Sequence, residues 1–195
     1  NRGMLHHLRG TLVEKTPTHV VVECGGLGYF IHISLTTFGQ LPDGGEVKLL
    51  LHPVYREDAQ LLFGFASELE REVFLMLNSV SGVGASTARV ILSTLRPEEA
   101  LSVVANGDSG SLQRIKGIGA KTAQRIVVDV RDKAVKLGAS SPLSASGPSA
   151  RHEALEALLV LGFARPAVEK ALSALAAEAA DANVEDLIKR ALARL

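Results

Sequence analysis

The chain has 195 residues, 47% of them hydrophobic, which is enough for one large or two to three small packed domains. Its formal net charge is zero, and only 4% of the residues are aromatic, which argues against a protein that binds single strands by stacking their bases. Cys24 is the single cysteine, which excludes an intramolecular disulfide and favours a reducing compartment. No apolar run approaches the ~20 residues of a membrane span, and no secretory signal precedes Met4, the expected natural start. We therefore expect a cytoplasmic protein without membrane attachment.

Residues 4–65 have the pattern of a small β-barrel. Short apolar runs alternate with turn signals such as Thr16-Pro17 and Gly25-Gly26. The runs predict five strands, at residues 8–16, 19–26, 28–34, 46–56 and 59–65. Five short strands with this spacing are typical of a closed barrel.

An acidic tip separates the last two predicted strands. Glu57 and Asp58 stand side by side there, directly after Arg56. A solvated turn is the ordinary interpretation of an isolated acidic pair in such a position. The tip residues alone indicate no other role.

Residues 66–138 change to a helical period and carry most of the basic charge. The apolar spacing predicts a first helix from Glu68 and further helices at residues 85–94, 97–105, 109–115 and 120–136. Ser67, with Glu70 three residues later, is the expected N-cap of the first helix. Residues 82–136 contain 9 Lys/Arg against 5 Asp/Glu, counted along the sequence. This segment is therefore the expected site for a polyanion.

An internal repeat lies within the helical segment. LNSVSGVGASTARVIL (residues 77–92) aligns with LQRIKGIGAKTAQRIV (residues 112–127) at an offset of 35 residues. Seven of the 16 aligned positions are identical, and two more exchange Val for Ile. A single Gly-x-Gly is weak evidence for a function, but its duplication with matching flanks is specific.

Each copy has the residues of an anion-binding helix–hairpin–helix motif. The first glycine ends a helix with positive φ, and the second lets a ligand approach the backbone. The following helix presents unpaired N–H groups and the positive end of its dipole. The candidate phosphate-binding residues are Gly82, Val83, Gly84, Ser86, Lys116, Gly117, Ile118, Gly119, Lys121 and Arg125. Such contacts hold sugar-phosphate without recognising base sequence, so affinity should fall steeply with salt.

Other uses of these glycines fit less well. A dinucleotide fingerprint needs a third glycine, where Thr87 and Thr122 stand, and an ATPase phosphate loop needs a Gly-Lys-Thr that Ala120 interrupts. Two helical hairpins without a ligand are the purely structural alternative. A DNA repair nuclease or a glycosylase accessory domain is the alternative function, and it would need clustered acids or a catalytic Lys/Asp after the hairpin.

The last part of the chain predicts a linker and a small helical domain. Residues 139–150 have small and helix-breaking residues without an apolar period, so a flexible linker is expected. Residues 151–195 predict three helices, with a break at Gly162-Phe163, a second start near Pro166 and an Asn183 cap. About 45 residues are close to the lower limit for independent stability, so this piece is expected to dock its apolar face on another protein.

The combination of motifs resembles the RuvA family, the Holliday-junction-recognising subunits of bacterial branch-migration complexes. The resemblance covers residues 4–195 and includes LRGTLVEK, VECGGLGYFIHIS, REDAQLLFGF, both hairpins and the terminal ALLVLGF. It implies a multidomain α+β fold: an OB-fold barrel at 4–65, tandem helix–hairpin–helix motifs at 66–138, the linker, and a three-helix UBA-like domain at 151–195. It also implies a homotetramer, and an octamer when two tetramers enclose a junction.

The resemblance assigns roles by motif and implies a subunit that is not itself an enzyme. The two hairpins, with Lys121 and Arg125, are the implied phosphate contacts. Glu57 and Asp58 correspond to an acidic pin. Leu158, Leu161 and Phe163 correspond to the patch that docks the ATPase. The implied partners are four-way junction DNA, the hexameric ATPase RuvB and the resolvase RuvC, with no cofactor, metal or catalytic residue. The chain departs from the family pattern in its short linker and in Ser86, where a lysine is expected.

Overall fold

The computed structural model describes residues 5–139, 150–176 and 184–194. The chain divides into two compact units, Asn1–Ser141 and Pro142–Leu195, which are treated separately below. The expected start at Met4, nearly all of the expected linker, and the expected cap Asn183 lie outside the described residues.

Five strands close into a barrel in the first unit, as predicted. They are β1 (His7–Lys15), β2 (His19–Cys24), β3 (Leu27–His32), β4 (Gly45–Tyr55) and β5 (Gln60–Phe65). Their order is β1-β2-β3-β5-β4, antiparallel except for the closing β3–β5 pair, which is parallel. Alternate side chains point inward, so that Val20, Ile31 and Leu49 are fully buried in the barrel core.

The β2–β3 turn illustrates how the sequence sets the strand register. Cys24 pairs with Leu27, which leaves Gly25 and Gly26 as a two-residue loop with φ of 60° and 81°. A type I′ turn needs positive φ at both central residues, and glycine adopts it without steric cost. The adjacent glycines therefore fix which residues of β2 and β3 face the core.

Six helices complete the described part of the first unit. They are α1 (Leu35–Gln40), α2 (Glu68–Asn78), α3 (Ala85–Thr94), α4 (Pro97–Ala105), α5 (Ser109–Gln113) and α6 (Ala120–Ala139). The five helices predicted after the barrel are confirmed. The sequence did not predict α1, which lies between β3 and β4.

The barrel and the helices share a core along β5. Phe63 and Phe65 of β5 belong to the same buried cluster as Phe74 of α2, and the ring centroids of Phe65 and Phe74 are 4.8 Å apart. Full burial of each such ring contributes about 1.5–3 kcal/mol. The strand that leads away from the acidic tip is thus packed against the helix that leads to the first glycine hairpin.

Gly10 on β1 is required by the close approach of β2. A Cβ at Gly10 would lie 2.2 Å from the backbone oxygen of Glu23, and a backbone atom cannot move away without separating the strands. We expect Gly10→Ala to lower the free energy of unfolding by at least ~2 kcal/mol in urea titrations, as overpacking does. Gly39→Ala is the control, because a Cβ there meets nothing within 4 Å and alanine is favoured in a helix by up to ~1 kcal/mol. Equal stability of the two variants would contradict the steric argument.

The second unit contains the three helices expected from the sequence. They are α7 (Ala150–Val160), α8 (Arg165–Ala176) and α9 (Val184–Leu192). Leu158, Leu172 and Leu187, one from each helix, meet in its core. Within residues 5–139, 150–176 and 184–194, no helix has both the length and the apolar character needed to cross a bilayer.

Candidate nucleic-acid interface

The two copies of the repeat fold into hairpins with the same hydrogen bonds. In the first copy these bonds join Val80 N to Leu77 O (3.1 Å), Val83 N to Val80 O (3.0 Å) and Ala88 N to Gly84 O (2.9 Å). In the second they join Ile115 N to Leu112 O (3.1 Å), Ile118 N to Ile115 O (3.1 Å) and Ala123 N to Gly119 O (2.9 Å). Gly82 and Gly117 both have φ of 90°, a left-handed conformation that other residues rarely adopt. The sequence repeat is therefore a structural repeat.

Each hairpin is anchored from inside and open on its outer side. Val83 and Ile118, the residues between the glycines, are buried in the helical core, as predicted. The four hairpin glycines Gly82, Gly84, Gly117 and Gly119 are exposed. Both glycines of each hairpin thus present their backbone to solvent.

The helix after each hairpin begins with free amides. Gly84 is the N-cap of α3 and has no side chain that could accept from the first-turn N–H groups. Those groups have no carbonyl within the helix to pair with, and Ser86 adds an exposed hydroxyl beside them. α6 begins in the same way after Gly119. Both helix starts combine N–H donors with a positive dipole end, which suits a phosphate oxygen.

Cationic side chains are distributed unevenly over the two hairpins. Lys116 and Lys121 are exposed on the second hairpin, whereas Ser81 and Ser86 occupy the matching places in the first. Arg125 of α6 crosses between the copies: its Nη1 donates to the backbone oxygen of Ser81 at 3.1 Å and to the Ser81 hydroxyl at 3.3 Å. The guanidinium expected at the second hairpin therefore lies at the first, where it supplies the charge that Ser86 does not.

Glu57 and Asp58, the acidic pin, form the exposed end of a β-hairpin. Tyr55 pairs with Gln60, and Arg56 N donates to Ala59 O at 2.8 Å, which closes the turn. Both carboxylates are exposed, and no ion pair within the described part of the chain involves either of them. The pin thus presents two carboxylates that are in no ion pair of the described residues, on a paired, extended stalk.

Glu70 does not behave as the capping spacing predicts. Ser67 Oγ accepts from Glu70 N at 3.2 Å, which confirms the expected N-cap. The Glu70 carboxylate, however, is fully buried and accepts hydrogen bonds from Ser34 Oγ and Thr37 Oγ1 near α1. Burial raises the pKa of this carboxyl, and the two hydroxyl bonds oppose that rise. Sequence reasoning missed this contact because its partners lie more than 30 residues away.

Of the three residues expected to dock the ATPase, Leu158 lies in the last turn of α7, and Leu161 and Phe163 follow directly after the helix. Phe163 N donates to Leu158 O at 3.2 Å, Gly162 N donates to Leu159 O at 3.0 Å, and Gly162 has φ of 96°. This is a Schellman motif, which normally packs its two flanking apolar residues together.

The three predicted docking residues differ in burial. Leu158 is fully buried in the three-helix core, and Phe163 packs against that core, so the Leu158 side chain supports the turn from inside. Leu161, by contrast, is 61% exposed, and its neighbour Val160, which the sequence did not single out, is 85% exposed.

Family models cover most of the chain in three segments. The RuvA N terminal domain matches residues 4–64, a SAM-like helix-hairpin-helix tandem matches residues 74–132, and the RuvA C-terminal domain matches residues 149–195. The OB-like barrel, the tandem hairpins and the C-terminal helices expected from the sequence are therefore confirmed.

Curated relatives match over their full length. The proteins of Christiangramia forsetii and Flavobacterium psychrophilum are each 46% identical over 193 residues, covering 98% of this chain and 100% of theirs. A Bacteroides fragilis protein is 42% identical over 202 residues, covering 98% of this chain and 100% of its own. All three are named Holliday junction branch migration complex subunit RuvA, which does not favour the nuclease or glycosylase alternative. The chain belongs to the RuvA family.

Proposed function

We propose that this protein is the Holliday-junction-binding subunit of a branch-migration complex. It holds the four DNA arms by phosphate contacts, keeps the crossover point clear of duplex, and performs no catalytic step itself. One arrangement carries this proposal: duplicated, outward-facing phosphate hairpins and an exposed acidic pin occur in the same compact unit. Attraction and repulsion of phosphate by one compact unit can select DNA by its shape.

The two hairpins of each subunit hold one arm through its sugar-phosphate backbone. The donors are the first-turn amides of α3 and α6, supplemented by Lys116, Lys121 and Arg125. Because amides and flexible cations contact phosphate oxygens rather than base edges, binding is independent of sequence. It also releases condensed counterions, so affinity falls as salt rises.

The acidic pin acts at the centre of the assembly. Four subunits around a four-fold axis would bring eight carboxylates, two from each subunit, to the hole of a square-planar junction. A pair of like charges at ~6 Å costs about 0.7 kcal/mol in bulk water and several-fold more near a protein surface. The pins therefore exclude a continuous duplex and guide separated strands toward new partners.

The C-terminal unit supplies the contact with the motor. Residues 151–195 form a domain that docks the hexameric ATPase RuvB, joined by the linker at 139–150 to the barrel and hairpin domains at 4–65 and 66–138. RuvC is a further partner for resolution of the product, and the complex acts in the cytoplasm, in recombinational DNA repair. The exposed apolar turn at Val160 and Leu161 is the surface of this unit best suited to bind RuvB.

A pair of leucine variants separates docking from folding. We expect Leu161→Ala to weaken binding of the purified ATPase without loss of junction affinity, because this side chain is largely exposed. Leu158→Ala should instead destabilise the C-terminal unit by about 2–5 kcal/mol, the cost of a truncated buried leucine. Calorimetric titration with RuvB and thermal unfolding measure the two effects. Leu192→Ala, a half-exposed leucine of α9, is the control, and equal weakening by Leu161→Ala and Leu192→Ala would exclude the turn as the docking surface.

The proposed function is tested by the affinity for a four-way junction relative to linear duplex of equal length. In mobility-shift titrations at fixed salt we expect the junction to bind at least about tenfold more tightly, a difference of roughly 1.4 kcal/mol. A parallel incubation with Mg²⁺ monitors strand cleavage. Equal affinity for the two DNAs would refute the proposal, and cleavage by the chain alone would favour a nuclease.

A further inference from the structure

Helix α1 ties the barrel to both helices that flank the first hairpin. Toward α3, Thr36 Oγ1 donates to Leu92 O at 2.7 Å, and Leu35 N donates to Ser93 Oγ at 3.1 Å. Toward α2, the connection is made by the buried carboxylate of Glu70. The short, unpredicted helix is therefore the structural joint between the DNA-binding hairpin and the barrel that carries the acidic pin.

Glu70 is the centre of a closed set of hydrogen bonds at this joint. Its Oε1 accepts from Ser34 Oγ, and its Oε2 accepts from Thr37 Oγ1 at 2.7 Å. Ser34 Oγ also accepts from Thr37 N at 3.0 Å, and Thr37 Oγ1 accepts from Ala66 N at 3.2 Å. Ala66 lies between the end of β5 and the start of α2, where the chain passes from the barrel to the helices. The carboxylate of Glu70 thus holds together α1, the connection between β5 and α2, and α2 itself.

Further contacts link this joint to the second hairpin and to the pin. Arg125 joins α6 to the first hairpin through Ser81. Phe63 and Phe65 of β5, the strand below the pin, pack on Phe74, one helical turn beyond Glu70. Displacement of α1 from α2 would therefore change the position of the pin relative to both hairpins without altering either motif internally.

We propose that Glu70 is a positioning residue for junction selectivity, which it enforces by holding the acidic pin at a fixed place relative to the phosphate-binding hairpins. The inference rests on the proposed function. A binding site that discriminates by geometry must hold its groups to within ~0.5 Å, and a fully satisfied buried polar network specifies one arrangement more strictly than apolar packing does. Because the pin excludes continuous duplex from the centre, a pin that is displaced from its place weakens the preference for junctions while the hairpins still hold phosphate.

Three variants at the joint and one control variant separate positioning from folding and from charge. Glu70→Ala removes both acceptors, whereas Glu70→Gln keeps the shape and can bond both hydroxyls after they rotate. Thr37→Val keeps the carboxylate but removes one donor to it and the acceptor for Ala66 N, so it serves if Glu70→Ala does not fold. Glu72→Gln, an exposed neighbour on α2, removes the same charge outside the joint and is the control.

The measurements are amide hydrogen exchange and the ratio of junction to duplex affinity, below the unfolding temperature of each variant. In Glu70→Ala we expect Thr37 and Ala66, whose amides donate to the two hydroxyls that Glu70 holds, to lose protection by about tenfold or more as the joint loosens, while Ala88 and Ala123 in the helices after the hairpins keep theirs. The junction-to-duplex ratio should fall by about tenfold, with duplex affinity no lower than that of the wild type. Glu70→Gln and Glu72→Gln should stay within about twofold of the wild type, a difference of only ~0.4 kcal/mol.

The outcomes distinguish the positioning role from the proposed function. If the wild type prefers junctions and Glu70→Ala keeps that preference, the positioning role is wrong and the proposed function stands. If junction and duplex affinities fall together in Glu70→Ala, the residue has a merely structural role. A wild type without junction preference would overturn the proposed function and, with it, the positioning role.

Discussion

Neutralising the acidic pin with Glu57→Gln and Asp58→Asn together is expected to raise duplex affinity relative to junction affinity. The two carboxylates are exposed on a paired stalk and have no ion-pair partner among the residues described. Their removal from four subunits eliminates eight repulsive charges, each worth about 0.7 kcal/mol or more per phosphate at ~6 Å. We therefore expect the junction-to-duplex ratio to fall at least about tenfold, measured by mobility-shift titration at low salt.

The control variant removes two negative charges from positions outside the pin. Glu23→Gln with Glu72→Gln neutralises two exposed carboxylates on β2 and α2, and the ratio should stay near the wild-type value. If the Glu57→Gln, Asp58→Asn protein keeps the wild-type selectivity, the tip is an ordinary solvated turn with no part in selecting junctions. An equal shift in both double variants would mean that net charge, rather than the pin, sets the preference.

Removing the lysine of the second hairpin and adding a lysine to the first should change the salt dependence of DNA binding in opposite directions. Lys121 and Ser86 occupy the same place in the repeat, 35 residues apart, and both are exposed in the first turn of a helix. Lys121→Ala should reduce the slope of log affinity against log salt by roughly 0.9 for each phosphate that the protein no longer neutralises, or up to roughly 3.6 in a tetramer. Ser86→Lys should increase the slope, because it adds a cation beside the free amides at the start of α3.

The slope of this plot, rather than affinity at one salt concentration, is the informative quantity. Lys133→Ala removes an exposed lysine of α6 more than three helical turns beyond Lys121 and should leave the slope unchanged. If Lys121→Ala also leaves it unchanged, Lys121 does not contact phosphate. If Ser86→Lys reduces affinity, the first hairpin does not meet DNA in the way that the second does.

The regular parts of the fold were predictable because their signals are local. Gly25-Gly26 specifies a tight turn by backbone conformation alone, and the alternating runs around it specify strands. The hairpins were predictable for the same reason: Gly82 and Gly117 provide positive φ, and Val83 and Ile118 provide an anchor within the same few residues. The duplication at 35 residues made that local signal specific.

The contacts that join these parts were not predictable, because they depend on tertiary structure. α1 has β-branched Thr36 and Thr37 and a glycine within six residues, a poor intrinsic helix that is held by hydrogen bonds to α2 and α3. Glu70 matched a local capping pattern but bonds to residues 33 and 36 positions away. Arg125 reaches Ser81 across 44 residues.

Fluorescence energy transfer between the arms of a junction tests most directly whether the hairpins hold four arms apart around a cleared centre. A donor and an acceptor dye are attached to the ends of each pair of arms in turn. The transfer efficiency of each pair is then measured in Mg²⁺ for the free and for the protein-bound junction. We predict that binding makes the four adjacent pairs equal in transfer efficiency and both opposite pairs equal and lower. Retention of the unequal adjacent-arm efficiencies of the free, stacked junction after saturation with protein would contradict the proposed function.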